Sequence, residues 1–326
     1  MKIAFFGTKP YDKKWFEQLA ANYNHEIKFF RPKLSEDTAM LAKGYDAVCA
    51  FVNAEISKNT IISLEKVGIK VILMRCAGYN NVDLEQAKKS NIKVLHVPGY
   101  SPEAVAEHAM TLAMSANRRI HKAYNKVRDN DFSLNGLMGK NFNGRTVGVI
   151  GTGKIGQAMI KLCKGFSMEV LAYDPYPNVE LGYNYVSLEQ LLEKSDLITL
   201  HCPLFDNTHH MINRDTIEKM KDGVMLVNTS RGGLIKTEDL IDGIKGGKFH
   251  AVALDVYEEE SNLVFENYSD DILTHTTTAR LLSFPNVILT SHQGFLTEEA
   301  LYTIAEVTLQ NAKDFETGNE LKYEVK

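Results

Sequence analysis

Residues 147–159, VGVIGTGKIGQAM, carry an apolar run straight into three glycines spaced G-x-G-x-x-G and on into helix-forming residues. No other stretch narrows the choice of fold as far. A buried strand, a turn without side chains and a helix, in that order, describe a βα crossover whose turn cradles a pyrophosphate. In that reading Gly151 makes the tight turn and Gly153 lets backbone approach the phosphates. Gly156 lets helix and strand pack closely, and the helix N-terminus faces the anion. The next apolar run, EVLAYD, ends in Asp174, eighteen residues beyond Gly156. A carboxylate there suits a free ribose 2′-hydroxyl and repels a 2′-phosphate, which favours NAD over NADP. Glycine-rich turns also occur in loops that bind nothing; the strand before, the helix after and the acid at this spacing separate this turn from them.

Almost half the chain precedes the glycines, and that half has the same texture. KIAFFG, EIKFF, DAVCAFV, KVILMRCAG and IKVLHVPG are short apolar runs, several separated by helical patterns such as DKKWFEQLAANY and NTIISLEKVG. A long helical pattern follows, SPEAVAEHAMTLAMSANRRIHKAYNKV, with a Ser cap, Pro at the first helical position and Glu in the first turn. A second array then runs TVGVIG, EVLAYD, LITLHCP, GVMLVNTS, AVALDVY and NVILTSH, and LTEEALYTIAEVTLQNAKDFETG closes the chain as a helix able to return to the first array. The simplest fold is α/β, with two parallel-sheet domains joined by two long helices.

Bulk properties mostly exclude. The 326 residues carry 37 Lys+Arg against 41 Asp+Glu, a net charge of −4, which gives no footprint for nucleic acid or an acidic membrane. The opening MKIAFFGTKPYDKK has too short an apolar run for a signal peptide, and no run approaches the ~18 apolar residues of a membrane span. Cys49, Cys76, Cys163 and Cys202 lie far apart with no C-x-x-C pair, and read as reduced thiols of a cytoplasmic protein rather than disulfides or a zinc site. No metal is expected.

Open α/β sheets bind ligands at the carboxyl ends of their strands. Three successive apolar runs of the second array end there in polar groups: GVMLVNTS leads to Arg231, AVALDVYEEE to Asp255 and Glu260, and NVILTSH to His292. Each alone has an ordinary explanation: a surface ion pair, a solvated acidic face, a hydrogen-bonded structural histidine. Together they suit hydride transfer, with an arginine for a carboxylate, a histidine to carry a proton and a carboxylate to orient it.

Over essentially its whole length the chain resembles the D-isomer-specific 2-hydroxyacid dehydrogenases, and within them the fermentative, D-lactate-forming type. The likeness rests on seven motifs in family order: RCAGYNNVD (75–83), VPGYSPEAVAEHAM (97–110), GVIGTGKIG (148–156), LHCPL (200–204), NTSRGGLI (228–235), LDVYEEE (254–260) and SHQGFLTEEAL (291–301). The resemblance implies two doubly wound, flavodoxin-like or Rossmann-like domains with a cleft between them. The substrate domain would be discontinuous, 1–100 with 299–326, and the NAD-binding domain, 101–298, would be inserted into it.

By the same resemblance Arg231 holds the 2-keto acid carboxylate and polarises its carbonyl, His292 is the acid/base, and Glu260 fixes its ring. Backbone N–H groups of Ala77 and Gly78 bind the substrate carboxylate, with the Cys76 thiol incidental, and Tyr100 walls the pocket. Lys154 and Ile155 sit in the glycine turn. Cys202, Pro203 and Thr208 line the adenosine and ribose path, Thr229 and Ser230 flank the nicotinamide, and Asp255 lies near its end. Two departures stand out: Ser261 replaces the proline many members carry after the glutamate, and residues 261–284 form a longer, more polar excursion, expected on the surface beside the site. The basic stretch NRRIHKAYNKVRDNDF (117–132) reads as a solvated helix face or a subunit contact rather than an anion site.

The favoured activity is reversible hydride transfer between NADH and pyruvate, giving D-lactate, in a homodimer or homotetramer. A member acting on another 2-keto acid and a non-catalytic NADH-sensing scaffold are the alternatives; the Arg231, Glu260, His292 set opposes the second.

Overall fold

The alternating runs become two sheets, each in its own unit: Met1–Ser101 with Leu296–Lys326, and Pro102–Phe295. The structure is a computed structural model and describes residues 1–260 and 263–325. Ser261 therefore lies outside the described residues.

In the first unit the strands are β1 (Lys2–Phe5), β2 (Glu26–Phe29), β3 (Ala47–Ala50), β4 (Val71–Met74) and β5 (Lys93–Leu95), all parallel in the order β2-β1-β3-β4-β5. Central β3 and β4 read AVCA and VILM and are buried at every position, as a sheet covered on both faces requires. Helices α1 (Pro10–Tyr23), α2 (Lys58–Lys66) and α3 (Leu84–Lys89) connect them. Pro10 opens α1 where its missing N–H costs nothing.

The second unit begins with α4 (Pro102–Asn117) and α5 (Ile120–Arg128). Its strands are β6 (Thr146–Ile150), β7 (Glu169–Tyr173), β8 (Leu197–Leu200), β9 (Val224–Asn228), β10 (Phe249–Leu254) and β11 (Val287–Leu289), parallel in the order β11-β10-β9-β8-β6-β7. Helices α6 (Lys154–Gly165), α7 (Leu188–Lys194), α8 (Arg214–Lys219), α9 (Thr237–Lys245) and α10 (Thr276–Ser283) complete it. One apolar layer gathers Leu191, Ile198, Leu226, Leu240 and Val252; another gathers Ala109, Ala113, Val149, Ile160 and Val227.

The last helix, α11 (Glu298–Thr317), returns to the first unit. Thr297 caps it by accepting the Ala300 N–H, and Gly318, at φ 70°, ends it. Ala305, Leu309 and Ala312 pack with Ile3, Phe5, Phe16 and Leu73, and the following tail pairs Glu324 with Leu95 on β5.

The single helix expected over 102–127 is two. Buried Asn117 turns its side chain to the backbone of Lys140, donating to the carbonyl at 2.7 Å and accepting from the N–H at 2.9 Å. Arg119 adopts φ 53° while its guanidinium donates to the His250 carbonyl at 2.7 Å. These tertiary bonds override a continuous helical pattern. No helix among the described residues is long and apolar enough to cross a membrane.

Candidate active site

In both sheets the strand order turns about the first strand, which in the second unit puts the ligand-binding crevice at the carboxyl ends of β6 and β8. The glycine turn leaves β6 there, and each glycine has a separate reason. Gly151 sits at φ 91°, and a Cβ on it would lie 2.6 Å from the Cys202 nitrogen. A Cβ on Gly156 would run into the Gly151 carbonyl. A Cβ on Gly153 would meet nothing within 4 Å, and Gly153 provides no capping side chain, so the first-turn N–H groups of α6 stay open to an anion. These residues fit a dinucleotide pyrophosphate, with Lys154 and Ile155 forming the first turn of α6.

Asp174 lies just past β7. It accepts from the Thr152 N–H at 2.8 Å, the Thr152 hydroxyl at 2.9 Å and the Tyr176 N–H at 3.0 Å, which leaves acceptor capacity for a ribose hydroxyl. Beyond β8, the Cys202 carbonyl accepts the Ser230 hydroxyl at 2.6 Å, and burial pushes the Cys202 thiol up to about 11, so it is no nucleophile. The Thr208 hydroxyl accepts the Phe205 N–H and donates to the Pro203 carbonyl, both at 2.8 Å, closing its own loop. The hydroxyl oxygen of Thr229 is buried without a partner among the described residues, an orphan of the kind a bound cofactor satisfies.

Arg231 leaves β9 on a loop stapled by buried Asn228, which donates to the Arg231 carbonyl at 2.8 Å and accepts the Ser230 N–H at 3.0 Å. The guanidinium donates to the Ser230 carbonyl at 2.7 Å, and Gly232 packs so closely on Tyr257 that no side chain fits. Past β10 and β11, Glu260 and His292 meet, with Nδ1 3.1 Å from Oε1. An ionised carboxylate only accepts, so that contact assigns the proton to Nδ1 and leaves Nε2 for a substrate. The second Glu260 oxygen is buried without a partner among the described residues. Strands β9, β10 and β11 are neighbours, so the three strand ends span roughly 10 Å.

Buried Asp255 organises this corner. Its carboxylate accepts from His108 Nε2 at 3.2 Å, the Thr290 hydroxyl, the Gln293 N–H at 2.9 Å and the Gly294 N–H at 2.8 Å. Its carbonyl accepts the His292 N–H at 2.9 Å. Burial alone would raise its pKa; the bonds from His108, Thr290 and Gln293 outweigh that and hold it below the ordinary carboxylate range. Through these bonds to His292, Gln293 and Gly294, Asp255 shapes the His292 loop.

In the first unit, Ala77 and Gly78 follow β4. The Ala77 carbonyl lies 2.9 Å from His96 Nδ1, and the Cys76 thiol donates to the Gly78 carbonyl at 3.1 Å. Arg75, just before them, is buried and donates to the Phe6 and Gly7 carbonyls and to Asp12. Tyr100 stands in the segment after β5. His108 and Phe265 of the second-unit site were given no role by the sequence alone. His108 lies within a quoted motif but meets Asp255 only through folding. Phe265, in the 261–284 excursion, sets its ring 6.2 Å from that of His292.

The NAD-binding-domain model of the D-isomer-specific 2-hydroxyacid dehydrogenases matches residues 110–294. The chain is 51% identical over 321 residues to a 2-hydroxyacid dehydrogenase homolog of Haemophilus influenzae, covering 98% of this chain and 97% of that one. It is 49% identical over 321 residues to the D-lactate dehydrogenase of Escherichia coli, covering 98% of each. The solved apo-structure of D-lactate dehydrogenase from Escherichia coli is similar throughout, at TM-score 0.92 and 46% identity over 100% of both chains.

Proposed function

The chain belongs to the D-isomer-specific 2-hydroxyacid dehydrogenases, NAD-dependent enzymes, and from that premise we propose that it interconverts pyruvate and D-lactate. The observation that carries the reading is the His292–Glu260 pair, 3.1 Å apart, on the loops after β11 and β10, with Arg231 on the loop after neighbouring β9. Bound NADH supplies the hydride that reduces the carbonyl carbon. Arg231 takes the pyruvate carboxylate on its paired donors and draws charge toward the carbonyl oxygen. His292 Nε2 gives its proton to that oxygen as the alkoxide develops, and Glu260 balances the imidazolium before transfer. In lactate oxidation the neutral ring takes the proton back. In the first unit, the Ala77 and Gly78 N–H groups are our candidates for a second hold on the carboxylate, and Tyr100 for a wall of the substrate pocket.

Asp174 gives the preference for NADH over NADPH, because a 2′-phosphate would meet its charge. Residues Cys202, Pro203, Thr208, Thr229 and Ser230 line the rest of the cofactor's path. The enzyme works as a homo-oligomer: no residue of α5 is buried, and Ile120, Tyr124, Phe132, Leu134 and Met138 stand exposed on it and the segment after it. An apolar surface of this kind asks for a partner. Four free, buried cysteines suit the reducing cytoplasm. The test of the activity is pyruvate-dependent oxidation of NADH with chiral analysis of the product.

A further inference from the structure

Behind the Arg231 loop, three ligand-type side chains that the proposed chemistry does not use come together. His209, His210 and Glu258 each offer an atom, and these atoms lie within 4.8 Å of one another. His210 Nε2 is 2.6 Å from Glu258 Oε1, and the rings of His209 and His210 stack with centroids 3.7 Å apart. His210 sits at φ 52°, a left-handed turn uncommon outside glycine, and here the two consecutive rings lie side by side.

The surroundings hold each group in place. The other Glu258 oxygen accepts the Thr237 N–H at 2.7 Å, which fixes the carboxylate with Oε1 toward the histidines. The His210 N–H donates to the Gly233 carbonyl at 2.8 Å, and the His210 carbonyl accepts from Asn213 Nδ2 at 2.9 Å. Outer bonds of this sort orient metal ligands.

We propose that His209, His210 and Glu258 form a binding site for a divalent first-row transition metal of the Zn²⁺ class, with water completing the shell. Two imidazoles and one carboxylate suit Zn²⁺, Ni²⁺ or Co²⁺ better than Mg²⁺ or Ca²⁺, which take oxygen shells. Tetrahedral Zn²⁺ needs ligand atoms roughly 3.4 Å apart, so separations that lie within 4.8 Å close by at most roughly 1.4 Å and the 2.6 Å His210–Glu258 contact opens by roughly 0.8 Å, within reach of rotation of side chains that are partly or fully exposed. Thiols do not compete, because all four cysteines are buried, and burial pushes Cys49 and Cys163 up to about 12.

The test is calorimetric titration of Zn²⁺ into the EDTA-treated, dialysed full-length protein at pH 7.5 and pH 5.5. Saturable binding of about one ion per chain is expected at pH 7.5, weakening at pH 5.5 as protons compete for the histidines. His209→Ala and Glu258→Gln should each weaken binding at least ~10-fold. His209 is exposed and Glu258→Gln keeps the Thr237 bond, so both variants should melt as the parent protein does without metal. The proposal is overturned by unchanged Zn²⁺ affinity in both variants, or by no saturable binding up to ~1 mM. Binding that survives in both but disappears in His292→Ala would put the ion at the His292–Glu260 pair and overturn it equally.

Discussion

At His292 the backbone is left-handed, φ 51°, a conformation that costs a non-glycine residue about 1 kcal/mol or more. Asp255 stabilises it by accepting the N–H groups of His292, Gln293 and Gly294, so the strain sits where the acid/base must be aimed. Arg231 and Glu260 make different contributions, and two substitutions separate them. Lysine offers a point charge where a guanidinium offers two parallel donors, so Arg231→Lys should lower kcat/KM for pyruvate at least ~10²-fold, the loss of ~2–3 kcal/mol, while the Kd for NADH changes little. Near-parental turnover would remove Arg231 from the carboxylate. Glu260→Gln keeps a hydrogen-bonding shape against Nδ1 and removes the negative charge beside the ring. Turnover of pyruvate should therefore fall at least ~10-fold while the Kd for NADH changes little, and unchanged kcat would deny the glutamate this role. That Arg231, Glu260 and His292 follow the carboxyl ends of β9, β10 and β11 was legible, because polar residues closing apolar runs mark strand ends. His108 was not legible as a support of Asp255, because the two lie 147 positions apart and nothing local links them.

Among the elements, the turn from β6 into α6 was the most legible, since Gly151 and Gly156 answer steric demands that the spacing alone states. Gly156→Ala tests the close approach: its Cβ would collide with the Gly151 carbonyl, forcing helix and turn apart. A cost of roughly 1–3 kcal/mol in stability and a weaker Kd for NADH should follow. An unchanged melting temperature and Kd, by thermal melt and NADH fluorescence, would mean that the packing tolerates what the geometry forbids. The break between α4 and α5 was not legible. Residues 102–127 read as one helix, and Asn117 and Arg119 interrupt it through partners at Lys140 and His250, far along the chain. The excursion at 261–284 was recognised as an addition beside the site, yet its placing of Phe265 next to His292 depends on tertiary structure.

For the whole molecule, repetition of strand and helix showed two parallel-sheet arrays, because buried parallel strands announce themselves as short continuous apolar runs. The strand order within each sheet, and the pairing of the tail with β5, follow from contacts between distant residues that no local pattern records. The exposed apolar residues from Ile120 to Met138 predict association: light scattering should give a mass of two or four times the 36.6 kDa chain, and replacing Tyr124, Phe132 and Leu134 by polar residues should lower it. A 36.6 kDa monomer at micromolar concentration would leave that surface without the partner assigned to it. The central claim concerns the reaction itself, and its most direct test is one assay. Purified protein is given NADH with pyruvate and with bulkier and phosphorylated 2-keto acids, and the product is resolved on a chiral column. The account predicts the highest kcat/KM with pyruvate and D-lactate as its product; L-lactate, or a preference for another 2-keto acid with pyruvate left nearly untouched, would contradict it.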